Sequence, residues 1–180
     1  MYQIFRTQLY KLSKITKLKY KFTNRTLFGT ILILCIFLLF YIQRISMIIA
    51  EYSVDSEFID PNGHLAEYGY YHYAIRALWQ DGKNNGRLKL FKELHVGPVT
   101  LESHSEFKSE IFKGEKILIH EQNLKDTARP KLWKRTLKIV KKKSDEVSFI
   151  TTSKMAFFNT LSRKIVVIPQ ELEKPIFQYS

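Results

Sequence analysis

Cysteine is nearly missing from this chain: Cys35 is the only one, and it lies inside an apolar run. The remainder can therefore build neither a disulfide nor a thiolate metal site. Acid is missing from the first fifty residues, where eight Lys and Arg stand alone before Glu51. Behind that point, twenty-one basic residues face all seventeen acids, so most of the net charge of +12 is N-terminal. Such asymmetry fits a membrane anchor or an address signal better than a nucleic-acid binder. Glycine is scarce, with seven scattered residues and no GxSxG, P-loop or GxGxxG among them. His64, His72, His95, His104 and His120 form no HExxH and no pair with a carboxylate at ligand spacing, so they read as solvated or core-edge side chains. No catalytic, cofactor-binding or metal-binding residue is nominated on these grounds.

What the chain does have is a long apolar run. Leu27 to Ile42 holds sixteen residues without a charge, about 24 Å of helix, which is short of a bilayer core of about 30 Å. The run resumes after Gln43 and Arg44 and reaches Ala50. The sequence thus predicts a transmembrane helix over 27–50, with Arg44 reaching along its own stem toward the far headgroups. A cleaved signal peptide is disfavoured because no small-x-small triplet follows. Residues 1–26 carry Arg6, Lys11, Lys14, Lys17, Lys19, Lys21 and Arg25, with an apolar stripe at spacings of three and four. They read as a basic amphipathic arm lying against anionic headgroups, or equally as a mitochondrial address. The positive-inside rule then holds the N-terminus in the matrix or cytoplasm and exports residues 51–180.

The exported part reads as α+β. Asp60-Pro61-Asn62-Gly63 is a turn, and the next stretch predicts a helix from His64 to Gln80 with Asp81-Gly82 as its stop. Its core face is expected to hold Leu65, Tyr68, Tyr71 or His72, Ile75, Leu78 and Trp79. A second helix runs from Arg87 to about His95 and ends at Gly97-Pro98. Strands follow: loosely over 99–112, compactly at Lys116–His120, then Leu137–Val140, Val147–Thr151 and Lys164–Ile168. Lys141–Asp145 makes a charged hairpin, Leu124 to Pro130 is turn-like, and Met155 to Leu161 is a short helix or a strand. Pro169 and Pro175 mark an extended tail. The fold class expected is a single N-terminal transmembrane helix followed by a small domain of two helices and a mainly antiparallel sheet.

Two surface features stand out as partner-binding candidates. Tyr68, Tyr70, Tyr71, Tyr73 and Trp79 surround one helix, so some of these rings must face outward. Lys141, Lys142 and Lys143 belong to the one basic cluster of the domain, suited to acidic headgroups or an acidic subunit.

Ala74-Ile75-Arg76-Ala77-Leu78, a loop, and then Leu90-Phe91-Lys92-Glu93-Leu94 leading to Gly97-Pro98-Val99 resemble a small mitochondrial inner-membrane family. That family includes a presequence-translocase regulatory subunit and a cytochrome oxidase assembly factor. The resemblance spans residues 60–168, and the chain departs from it by an extra His95-Val96 and a longer basic connection at 129–143. It implies a non-catalytic intermembrane-space domain that docks respiratory or translocase subunits. The functional expectation is thus a single-pass accessory or assembly subunit of a mitochondrial inner-membrane complex. Its partners would be other subunits and the bilayer, with no nucleic acid, no small-molecule substrate and no cofactor. The alternative is a bacterial or phage inner-membrane component with a periplasmic domain, serving secretion, envelope or lysis.

Overall fold

From Lys116 to Asn123 the chain places core and more solvated side chains alternately, the period of a half-buried strand, and a computed structural model describes the outcome for residues 47–177. β1 (Met47–Ser53) leads through a 3-10 turn at Ser56–Phe58 to a long helix, α1 (Glu67–Asn84), and a short one, α2 (Arg87–Glu93). There follow β2 (Val96–Phe107), β3 (Lys116–Lys125), β4 (Leu132–Lys141), β5 (Glu146–Asn159), β6 (Lys164–Val166) and a closing helix, α3 (Gln170–Phe177). The strands form one sheet in the order β1-β3-β4-β5-β2, with β6 extending it beside the end of β5. Every pairing is antiparallel. The sheet packs one face against α1.

The arrangement corrects the expected fold class. Met47–Ala50, taken as the end of a transmembrane helix, form most of β1 and pair with β3. The remainder of that helix (27–46, with Arg44) and the basic arm (1–26) lie outside the described residues. Among the described residues no helix is long and apolar enough to cross a membrane. Among the described residues the domain has three α-helices and not two, because the expected tail contains α3, which buries Leu172 and Ile176 although Pro175 sits inside it. Gly97 and Pro98 do not end a helix; both belong to β2, an edge strand where a missing N–H costs little.

The buried side of α1 also differs from the expected one. It is made of Gly69, Tyr70, Tyr73, Ala74, Ala77 and Gly82, while Tyr68, Ile75 and Trp79 are roughly half exposed. A helix enclosed by a curved sheet must come close to it, and small residues permit that approach. The helix runs past the expected stop at Asp81-Gly82 because Asp81 pairs with Arg87 and Gly82 packs on Leu88. Tyr73 is wholly buried but satisfied: its hydroxyl accepts from the Asp55 N–H (2.8 Å) and reaches the Asp55 carboxylate (3.3 Å). At Gly69 an added Cβ would meet Leu65 Cδ1 at 2.6 Å and Phe58 Cβ at 3.2 Å. Gly69→Ala is therefore expected to destabilise the fold by about 1–3 kcal/mol through overpacking, despite the better helix propensity of alanine. A urea midpoint equal to or above that of the parent protein would contradict this.

The interior holds two apolar clusters. One surrounds α1, with Leu65, Tyr73, Ile117, Ile119, Ile139 and Phe149 at its heart. The other joins Val96, Trp133, Met155 and Phe157 to Ile168, Leu172 and Ile176. A band of polar residues separates them. The register sets Ser103, Ser153, Arg135 and Asn123 in one row across four strands. Beside it run Ser105, Thr151, Leu137 and Glu121. Glu121, Asn123, Thr151 and Ser153 are all buried.

Candidate active site

The segment ahead of α1 is shaped by its own backbone bonds. Ile59 and Leu65 form an isolated antiparallel bridge, and between them Asp60 N–H donates to His64 O (2.9 Å) and Gly63 N–H to Asp60 O (3.0 Å). The turn closes because Gly63 takes a φ of 88°, a region that a side chain would oppose. Leu65 N–H to Ile111 O (2.7 Å) and Ala66 N–H to Phe58 O (2.9 Å) tie the loop to its neighbours on both sides.

This frame fixes Asp60. Its Oδ1 accepts the Asn62 N–H at 2.8 Å, and its Oδ2 accepts Asn62 Nδ2 at 3.3 Å. His64 brings Nδ1 to 3.7 Å from Asp60 Oδ2, and its Nε2 lies 3.9 Å from Glu110 Oε1. The Asp60 and His64 side chains keep 22% and 29% exposure, enough to meet a solute without being loose. The cap residue of α1, Ala66, offers no side-chain acceptor; Gly69 N–H bonds back to Ala66 O (2.8 Å), which leaves the N–H groups of Glu67 and Tyr68 to carry the partial positive charge of the helix start. An open groove of about 380 Å³ lies alongside, lined by His64, Glu67, Tyr70, Phe107, Ser109 and Glu110 among others. Tyr70 is anchored at its floor, its hydroxyl donating to Ser109 O (3.2 Å). Burial pushes its phenol pKa above the usual value, which keeps it a neutral donor. A carboxylate, an imidazole and outward-facing amide dipoles at one helix start can activate water and stabilise a developing oxyanion.

The sequence reading took Asp60–Gly63 as a turn and His64 as an ordinary histidine. The available signal was an Asp and a His four residues apart across an Asn-Gly turn, immediately before a helix. The residues nominated instead are dispersed by the fold. Tyr70 and Tyr73 are core residues, and Tyr71 is half-buried with its ring 5.3 Å from that of Phe149. Tyr68 and Trp79 are exposed. Lys141 pairs with Glu146 (3.1 Å) and Lys142 with Glu51 (2.7 Å), while Lys143 is exposed in the hairpin. Among the described residues no cluster of His, Cys, Asp and Glu could hold a metal ion.

A six-stranded antiparallel sheet packed against one long helix is the hot-dog class of fold. The chain belongs to the thioesterase-like superfamily, whose family model matches residues 54–176. Solved structures similar to it include a 1,4-dihydroxy-2-naphthoyl-CoA thioesterase from Synechocystis, with a TM-score of 0.60, 12% identity, and coverage of 71% of this chain and 93% of that one. A hypothetical protein from Staphylococcus aureus, characterised in complex with CoA, gives 0.64, 23%, 75% and 85%. A probable thioesterase from Escherichia coli gives 0.65, 13%, 74% and 98%. At these identities the likeness is one of fold. No curated protein sequence matches the chain.

This membership overturns the functional expectation. The match covers the residues 60–168 on which the mitochondrial resemblance rested, and that resemblance is withdrawn. With it go the non-catalytic accessory subunit, its intermembrane-space address and its respiratory or translocase partners. The periplasmic secretion or lysis component falls for the same reason. The expectation of no small-molecule substrate is likewise corrected, since the family is thioesterase-like and its solved neighbours include a naphthoyl-CoA thioesterase and a protein characterised in complex with CoA.

Proposed function

We propose that the domain hydrolyses an acyl thioester, a CoA thioester being the class that its solved neighbours favour. The observation carrying this reading is the Asp60 carboxylate, fixed by Asn62 beside His64 at the uncapped start of α1. The thioester carbonyl oxygen is received by the N–H groups of the first helical turn, which strengthen their hold as charge develops there. Asp60 takes a proton from a water whose oxygen attacks the carbonyl carbon. The tetrahedral intermediate collapses with cleavage of the carbon–sulfur bond. The thiolate leaves and takes up a proton, and the acid is released. His64, its Nδ1 3.3 Å from Leu65 O and 3.7 Å from Asp60 Oδ2, lies close enough to position the carboxylate.

The test is release of free thiol from a panel of acyl-CoA thioesters by the full chain, followed with a thiol reagent. Cys35, the only cysteine, adds a fixed background. Thiol release well above that given by the Asp60→Asn variant supports the reading. Rates equal to those of the variant across straight-chain, branched and aromatic thioesters would remove it.

A further inference from the structure

Away from Asp60, a second cavity of about 200 Å³ lies between α1, α2 and the sheet. Ile75, Leu78, Leu88, Phe91, Met155 and Ile176 give it apolar walls. Its inner end is the polar band: Arg87, Arg135, Glu121 and Asn123. Most of these groups are engaged. Arg87 Nη1 donates to Glu121 Oε2 (3.4 Å) and Arg87 also pairs with Asp81. Asn123 Oδ1 accepts from Trp133 Nε1 (3.2 Å). Arg135 is the exception. Its Nε is enclosed and has no hydrogen-bond partner, and the acid acting on it, Glu121, already accepts from Arg87. Asp81 and Glu121 both hydrogen-bond Arg87, so neither carboxylate bonds the Arg135 guanidinium.

An enclosed cationic donor without an acceptor is costly, because it has lost water and gained nothing in return. A plain hydrocarbon in the cavity would seal that deficit in. An anionic oxygen would answer it with a charge-assisted bond. The Thr100 hydroxyl stands at the same cavity with only the Met155 sulfur, a weak acceptor, at 3.4 Å. The Ser103 row, which includes Arg135, lies four residue steps along β2 from Phe107, which lines the groove with His64. That is about 13 Å at the rise of a strand, roughly the span of a ten-carbon chain.

Building on the thioesterase reading, we propose that this cavity takes the far end of the acyl chain and that Arg135 selects chains ending in a carboxylate. The substrate class is then the monothioester of a straight-chain dicarboxylic acid. Its methylenes lie along Ile75, Leu78 and Phe91, and its terminal carboxylate meets the Arg135 guanidinium.

Trp79 and Trp133 line the cavity and are the only tryptophans of the chain, so their fluorescence reports occupancy without any hydrolysis. The full chain is titrated with monomethyl decanedioate, the methyl ester of ω-hydroxydecanoate and methyl decanoate. The carboxylate-ended ester is expected to bind at least tenfold more tightly than the other two. Arg135→Met should abolish the preference, and Arg135→Lys, which keeps the charge, should retain part of it. Equal binding of all three esters by the parent protein overturns the proposal, and it does so even if Arg135→Met fails to fold. Equal binding of the hydroxy and carboxy esters overturns the assignment of a charged terminus. In parallel, decanoyl-CoA and the monothioester of decanedioic acid are compared as substrates. Selective binding without hydrolysis of either would sink the thioesterase reading and leave the cavity assignment standing. Hydrolysis of both at equal kcat/KM would do the reverse.

Discussion

Asp60→Asn is expected to lower kcat/KM for thioester hydrolysis by about a thousandfold, the order of loss on removing a positioned general base. The change is nearly isosteric. The Asn62 N–H keeps an acceptor in the new amide oxygen, and Ile59, Gly63, Leu65 and Ala66 hold the loop by backbone bonds that the side chain does not make. The melting temperature should therefore move little while the rate collapses. The loss should appear in kcat more than in KM, because the proton is taken only in the transition state. A variant within tenfold of the parent protein would show that Asp60 is not the base, and Glu67 and Glu110 on the same groove would become the carboxylates to test.

Arg87→Leu should be the most damaging single change to stability. Arg87 is 7% exposed and sits between Asp81 and Glu121, the latter also buried. Removing the cation strands Glu121 in the interior, and such losses run to about 3–5 kcal/mol. Urea unfolding with an unchanged slope should show it as a lower midpoint. The double change Arg87→Leu with Glu121→Leu should recover only part of the loss, since it removes the buried carboxylate but leaves Asp81 and Arg135 without these partners. A single variant as stable as the parent, or a double variant worse than the single, would contradict this account.

The strands were readable from the sequence where apolar residues alternate, as at Ile117 and Ile119 or Leu137 and Ile139, and their lengths were not. β3 continues through Glu121 and Asn123, β4 begins before Arg135, and β5 runs on through Thr151 and Ser153 to Asn159. Those are core-facing positions occupied by polar side chains, so a pattern that equates buried with apolar stops short at each of them. The face of α1 was inverted for a related reason. Period reasoning gives weight to bulk, whereas a helix wrapped by a sheet is chosen for Gly69, Ala74 and Ala77. The run at 27–42 dominated the reading and drew Met47–Ala50 into a helix, although sheet pairing with β3 decides their state. The site was legible only as a turn. Asp60 and His64 acquire meaning from their position at the start of α1, which no spacing rule applied to the chain had marked.

The two apolar clusters imply that the molecule does not open all at once. The polar band between them carries few of the dispersion contacts that would bind one cluster to the other, and its hydroxyl groups can exchange partners with water. α3 buries Leu172 and Ile176 in the second cluster and is otherwise held by Phe177 against Trp133 and by the surface ion pair of Glu173 with Lys125 (2.6 Å). Segments of this kind open with a free energy well below that of global unfolding. Backbone amides of α3 should therefore exchange hydrogen faster than those of Tyr73 to Ala77 in α1, by orders of magnitude under native conditions. Because Ile176 is also a wall of the second cavity, each such opening widens that cavity from behind.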